Sequence, residues 1–175
     1  LRSSSKDHNY DGVRILCYTN KIVEILVPHA RRAIHGDMAD QYQVLPGEVL
    51  ISRKAVMEQA TDCGSDYREE PNMLVGSNRE MVVNDVVPAT FDIDSLMMTE
   101  FSNLDMPKIE TLIAKVNCEQ QEFSLRLLPP VGTKARGELE SFLNLLSKEA
   151  KALSKKKNSS IWRCFFFIKD AFASL

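Results

Sequence analysis

The chain has 175 residues and a formal net charge of −2, the length of one ordinary domain or two small ones. Hydrophobic residues make up 44% and charged residues 26%, a globular balance that excludes wholesale disorder, and the near-neutral total excludes a histone-like polycation. No apolar run approaches the roughly 18 residues of a membrane span.

The first residues, Leu1-Arg2-Ser3-Ser4-Ser5, are polar and do not read as a signal peptide. The chain starts without Met and stops on Phe172-Ala173-Ser174-Leu175, so it is expected to be a piece of something longer. Val13-Arg14-Ile15-Leu16-Cys17-Tyr18 reads as a short buried strand, apolar and bounded by Asp11-Gly12 and Thr19-Asn20. A helix is expected to follow, capped by Thr19 or Asn20, with Glu24 in its first turns. Its inner face is read as Ile22, Val23, Ile25 and Leu26, then Ala30, Ala33 and Ile34. Pro28 predicts a kink or a restart, and Gly36 a stop.

After Gly36 the pattern turns to β. Pro46-Gly47 marks a turn and Glu48–Ser52 a strand. Residues 57–72 are acidic and read as a loop. Asn78 predicts a tight turn before the strand 80–87, with Pro88 at a strand boundary or an edge and a further strand over 89–93. Ile109–Val116 and Glu122–Leu128 alternate and read as a hairpin closed by residues 117–121. Five short strands joined by turns predict a small antiparallel barrel that closes its own edges. Pro129-Pro130-Val131-Gly132 ends that region. An amphipathic helix is predicted from Ala135 to Leu153, with Leu139, Phe142, Leu143, Leu146, Ala150 and Leu153 on one side. Asn158-Ser159-Ser160 then caps a last helix carrying Trp162, Phe165, Phe166, Ile168 and Phe172. The economical reading is an α+β chain: one α/β layer over 1–36 and 129–175, interrupted by a barrel over 37–128. The barrel is expected to be a separable folding unit with few contacts to the rest.

Charge is unevenly spread. From Glu58 to Glu110 twelve acids face three bases, a net of −9, whereas from Lys134 to Asp170 nine bases face four acids, a net of +5. A solvated acidic surface and a basic helix end account for this, as does a basic face towards a polyanion; both readings stand. Cysteines 17, 63, 118 and 164 contain no Cys-x-x-Cys pair, and His8, His29 and His35 add no ligand spacing, so no metal site is expected. Dispersed thiols fit a reducing cytoplasm. There is no Walker phosphate loop, dinucleotide fingerprint, zincin motif or nucleophile elbow. Asp92 with Asp94, and Glu69 with Glu70, read as polar strand-end and loop pairs. No catalytic residue is assigned.

Ile15-Leu16-Cys17-Tyr18-Thr19-Asn20-Lys21-Ile22-Val23-Glu24 resembles the start of the second RecA-like domain of superfamily 1 DNA helicases, in the flavour of the RecD-like and Dda-like members. Gly47-Glu48-Val49-Leu50-Ile51 and Gly76-Ser77-Asn78-Arg79-Glu80-Met81-Val82-Val83 resemble the Src-homology-3-like barrel inserted in that domain. Trp162-Arg163-Cys164-Phe165-Phe166 with Asp170-Ala171-Phe172-Ala173 resembles the aromatic helix before the family's next DNA-contacting motif. The likeness spans residues 13–175. It implies a partial RecA-like layer with an inserted barrel, from an ATP-dependent helicase whose ATP and Mg²⁺ are held by parts of the parent protein outside this chain. The chain alone is expected to hydrolyse no ATP. Tyr18 departs from the UvrD-like members, which carry there an arginine that reaches nucleotide phosphates.

The implied partners are single-stranded DNA, the remaining helicase domains and a protein reached through the barrel. Thr19, Asn20 and Lys21 are the candidate nucleic-acid-binding residues, because a strand-to-helix turn offers free N–H groups, a hydroxyl, an amide and an ammonium to a phosphate. Thr19 and Asn20 also suit plain capping. Trp162 and Phe165 suit either base stacking or a core. The competing reading is a non-enzymatic interaction module, with a peptide in the barrel groove and the acidic loop on a basic partner.

Overall fold

The computed structural model describes residues 15, 17–58, 72–93, 106–153 and 158–173. The structure is α+β: a curled antiparallel half-barrel is preceded and followed in the chain by helices. Among the described residues no helix is long and apolar enough to cross a membrane.

Helix α1 spans Asn20–His35 with Thr19 as its N-cap, and Gly36 ends it in a positive-φ conformation (φ 61°) that glycine adopts without a Cβ clash. The helix is continuous through Pro28, so the expected restart is absent. No acid lies in its first turn, since Glu24 falls a turn further on. The expected inner face is also absent: α1 buries none of its residues, and Ile22, Val23, Ile25, Val27 and Ile34 are exposed. The strand expected before it falls largely on residues 13, 14 and 16, outside the described residues. Ile15, Cys17 and Tyr18 lie in no strand, and Tyr18 is 99% exposed.

Polar contacts hold the C-terminal half of α1. Glu48 accepts from Arg31 Nε at 2.6 Å and from the Leu45 N–H at 3.0 Å, with His35 Nε2 at 3.5 Å. Arg31 Nη2 also donates to the Tyr42 carbonyl (2.9 Å). Arg32 pairs with Asp40 at 2.7 Å, on the short helix α2 (Met38–Gln41), which the sequence reading did not anticipate.

The main sheet has the order β1-β4-β5-β6, formed by β1 (Val49–Ile51), β4 (Glu80–Asp92), β5 (Lys108–Cys118) and β6 (Gln121–Leu127). Strands β2 (Val56–Met57) and β3 (Met73–Val75) make a separate ribbon. Among the described residues the sheet therefore curls into a half-barrel, where the sequence led to the expectation of a closed barrel. The two strands expected around Pro88 are one 13-residue strand, β4. Strand β1 pairs with Glu80–Val82, so among the described residues one side of β4 is unpaired at Pro88, an edge position of the kind that tolerates proline. A register shift against β5 between Val83 and Asp85 bends the strand. The turn at Asn78 (φ 60°) is as expected, and buried Ser52 fastens it by donating to the Gly76 carbonyl (2.7 Å) and accepting from the Arg79 N–H (3.1 Å). The β5–β6 hairpin turns through Glu119 and Gln120, both at positive φ.

Helix α3 spans Lys134–Ala152, capped by Thr133, and α4 spans Asn158–Asp170. Leu139, Phe142, Leu146 and Ala150 are buried as their spacing predicts; Leu143 is half-buried and Leu153 lies exposed beyond the helix end.

Two cores result. Inside the curl, Met81, Val83, Ala114, Val116, Leu125 and Leu127 pack with Val44 and Val75. The second core joins the far end of the sheet to the helices: Phe91, Ile93 and Ile109 pack with Leu139, Phe142, Leu146, Ile161, Ile168 and Phe172. Phe91 meets Phe172 edge-on at 5.2 Å, and the Ala173 N–H donates to the Arg126 carbonyl at 2.9 Å. Packing thus crosses the sequence limit at residue 128.

Candidate nucleic-acid interface

Thr19, Asn20 and Lys21 form the entry to α1. Thr19 is extended (φ −135°, ψ 149°), and its Oγ1 accepts from the Ile22 N–H at 3.4 Å, so its hydroxyl serves the helix as a cap. The Thr19 carbonyl takes the Ile22 and Val23 N–H groups at 3.1 and 3.3 Å. The N–H groups of Asn20 and Lys21, at the helix start, have no intrahelical acceptor by geometry. Both side chains are exposed beside Tyr18. With no acid in the first turn, the positive end of the helix dipole and the Lys21 ammonium act in the same sense. The turn can therefore hold an anion through two backbone donors, an amide and a cation.

The aromatic residues lie elsewhere, on α4, which packs against α3. Trp162 and Phe165 are half-buried against the shared core and meet edge-on at 5.4 Å. Phe166 stacks on Trp162 at 6.0 Å and is 50% exposed. The open ring is thus Phe166, rather than the Trp162 and Phe165 singled out from sequence, whose faces are committed to packing. Lys148, Lys151, Arg163 and Lys169 are exposed on α3 and α4. Lys155-Lys156-Lys157, the acidic stretch 59–71 with Glu69 and Glu70, Asp94 and Cys63 lie outside the described residues. Asp92 ends β4 and pairs with Lys108 at 3.0 Å. Cys17, Cys118 and Cys164 form no disulfide with another described residue, and the last two are buried.

Sequence reasoning passed over Arg126. In Glu122–Leu128 the alternation puts Leu125 and Leu127 inward and Arg126 towards solvent, but α3 and α4 approach that side of the sheet. The guanidinium carbon sits 4.7 Å from the centre of the Phe91 ring, and Nε and Nη1 are buried without an acceptor. Burial pulls its pKa below the usual arginine value. Nothing local in the sequence signals this, because the covering helices lie on the other side of the hairpin's end.

No family model matches the chain, and no curated protein matches it.

Proposed function

We propose that the chain is part of the second RecA-like domain of an ATP-dependent superfamily 1 DNA helicase, where it contributes contacts to single-stranded DNA and an accessory half-barrel. ATP and Mg²⁺ belong to the rest of the parent protein, and the remaining helicase domains are its first partners. Helix α1 is the observation that carries the reading. Its N-terminal turn is exposed, cationic and free of acids, and its aliphatic residues are unburied. That combination suits a helix that meets a phosphate at one end and packs its side on the remainder of a layer. The chain order supports it too: capped helix, curled sheet, amphipathic helix, aromatic helix.

The test is a titration of single-stranded oligonucleotide by fluorescence anisotropy across salt. With two or three phosphates neutralised, log affinity is expected to fall against log salt with a slope of about −1.4 to −2.1. Lys21→Ala is expected to flatten the slope by about 0.7, the share of one phosphate on a single strand. Binding indifferent to salt, or unchanged by Lys21→Ala, removes the turn from the site and favours a protein-interaction module.

A further inference from the structure

Between the β2–β3 ribbon, the end of β6 and helices α3 and α4 lies a cavity of about 1150 Å³. Val56, Leu74, Phe123, Leu139, Leu143 and Phe165 give it an apolar wall, and Arg126 lies in that wall. Two of the three guanidinium nitrogens lack acceptors, and the charge is met on one side only by the Phe91 ring. Buried donors are normally satisfied, and a guanidinium beside an apolar space favours an anion. Two of the acids that line the cavity are engaged elsewhere: Glu140 accepts from Arg136 Nε at 2.5 Å and Glu58 from Asn72 Nδ2 at 3.0 Å.

We propose that this cavity binds a carboxylate borne on an apolar body, with Arg126 as its anchoring cation. The cavity is lined by Lys54, Arg126, Arg136 and Lys169 against Glu58, Glu140 and Asp170, four cations to three acids, a balance of one positive charge that suits a monoanion. The planar guanidinium matches a planar carboxylate, and the aliphatic and aromatic wall takes the body out of water. To expose Nε and Nη1 the side chain swings off Phe91, exchanging a cation–π contact for charge-assisted hydrogen bonds, the stronger interaction. The acid group has two sources, a free organic acid or the C-terminus of a peptide.

The test follows the Leu139 and Leu143 methyl resonances of the full chain during titration with four probes: decanoate, decan-1-ol, the tripeptide acetyl-Leu-Phe-Leu as its acid, and the same tripeptide as its C-terminal amide. At least one acid is expected to bind roughly tenfold or more tighter than its neutral partner, the value of hydrogen bonds to a charged group. Decanoate binding identifies free acids as ligands; binding of the tripeptide acid alone identifies a peptide terminus. Arg126→Gln is expected to erase the preference for acid over neutral probe while leaving the melting temperature no lower, because it removes a half-buried cation two of whose donors lack acceptors. Equal affinity for acid and neutral probes, no shift with any probe at millimolar concentration, or a preference that survives Arg126→Gln overturns the proposal. Should the variant fail to fold, the acid-against-neutral comparison on the native chain decides alone.

Discussion

Single side chains control how α1 begins and how it is held. Thr19 is the one side-chain cap on a helix that buries nothing, so its loss acts locally and is not absorbed by a core. Thr19→Ala is expected to cost about 1 kcal/mol at the first turn. Amide exchange near Ile22 and Val23 should accelerate roughly fivefold as a result, and Thr19→Ser should restore protection. An unchanged exchange rate would show that the cap does not limit fraying. At the other end, Glu48 gathers Arg31, His35 and the Leu45 N–H around one carboxylate. Glu48 is 10% exposed and Arg31 24%, so truncation strands a half-buried guanidinium. Glu48→Ala is expected to lower stability by roughly 1–3 kcal/mol in urea unfolding; a loss within experimental error would show that solvent already screens the pair. The cap at Thr19 was legible because capping is local in sequence. The roles of Glu48 and Ser52 were not, because Glu48 reaches Arg31 17 residues away and Ser52 reaches Gly76 24 residues away.

At the level of elements, amphipathic periodicity located α3 well, and Leu139, Phe142, Leu146 and Ala150 are its buried residues. The same logic failed for α1, whose apolar residues are present but have nothing among the described residues to cover them. Periodicity says which side of a helix is apolar and leaves open where that side is buried. Pro28 was read as a kink or a restart and Pro88 as a strand boundary or an edge; both lie inside continuous elements, Pro88 at an edge position of its strand. For Pro88 the reason is topological: it sits where β4 has lost its neighbour β1. The hairpin between β5 and β6 carries Glu119 and Gln120 at φ 51° and 72°, a region where a Cβ is crowded. Gln120→Gly is expected to raise stability by about 0.5–1 kcal/mol, seen as a higher urea midpoint at unchanged slope. A lower midpoint would mean that the Gln120 side chain contributes more than its backbone costs.

For the whole molecule, the shared core is the decisive feature. Phe91, Ile93 and Ile109 belong to the sheet, yet they complete the core of α3 and α4. Replacing residues 37–128 by a Gly/Ser linker is therefore expected to strip the helices of their cover and abolish a cooperative helical melt by circular dichroism. A retained melt would restore the barrel as an independent unit. The amino-acid sequence by itself determined the α+β class, the existence of α1, α3, α4 and the β5–β6 hairpin, the Asn78 turn and the exposed cationic entry to α1, because each follows from residues within a few positions of one another. Only the tertiary structure decided that the described strands curl into a half-barrel, that α1 buries none of its residues, and that one core joins the end of the sheet to α3 and α4. It alone also carried Arg126 from an expected solvent position to the wall of an apolar cavity. These depend on which surfaces meet across tens of residues, and hydrophobic burial is non-directional, so local pattern specifies that a face is apolar without specifying its partner.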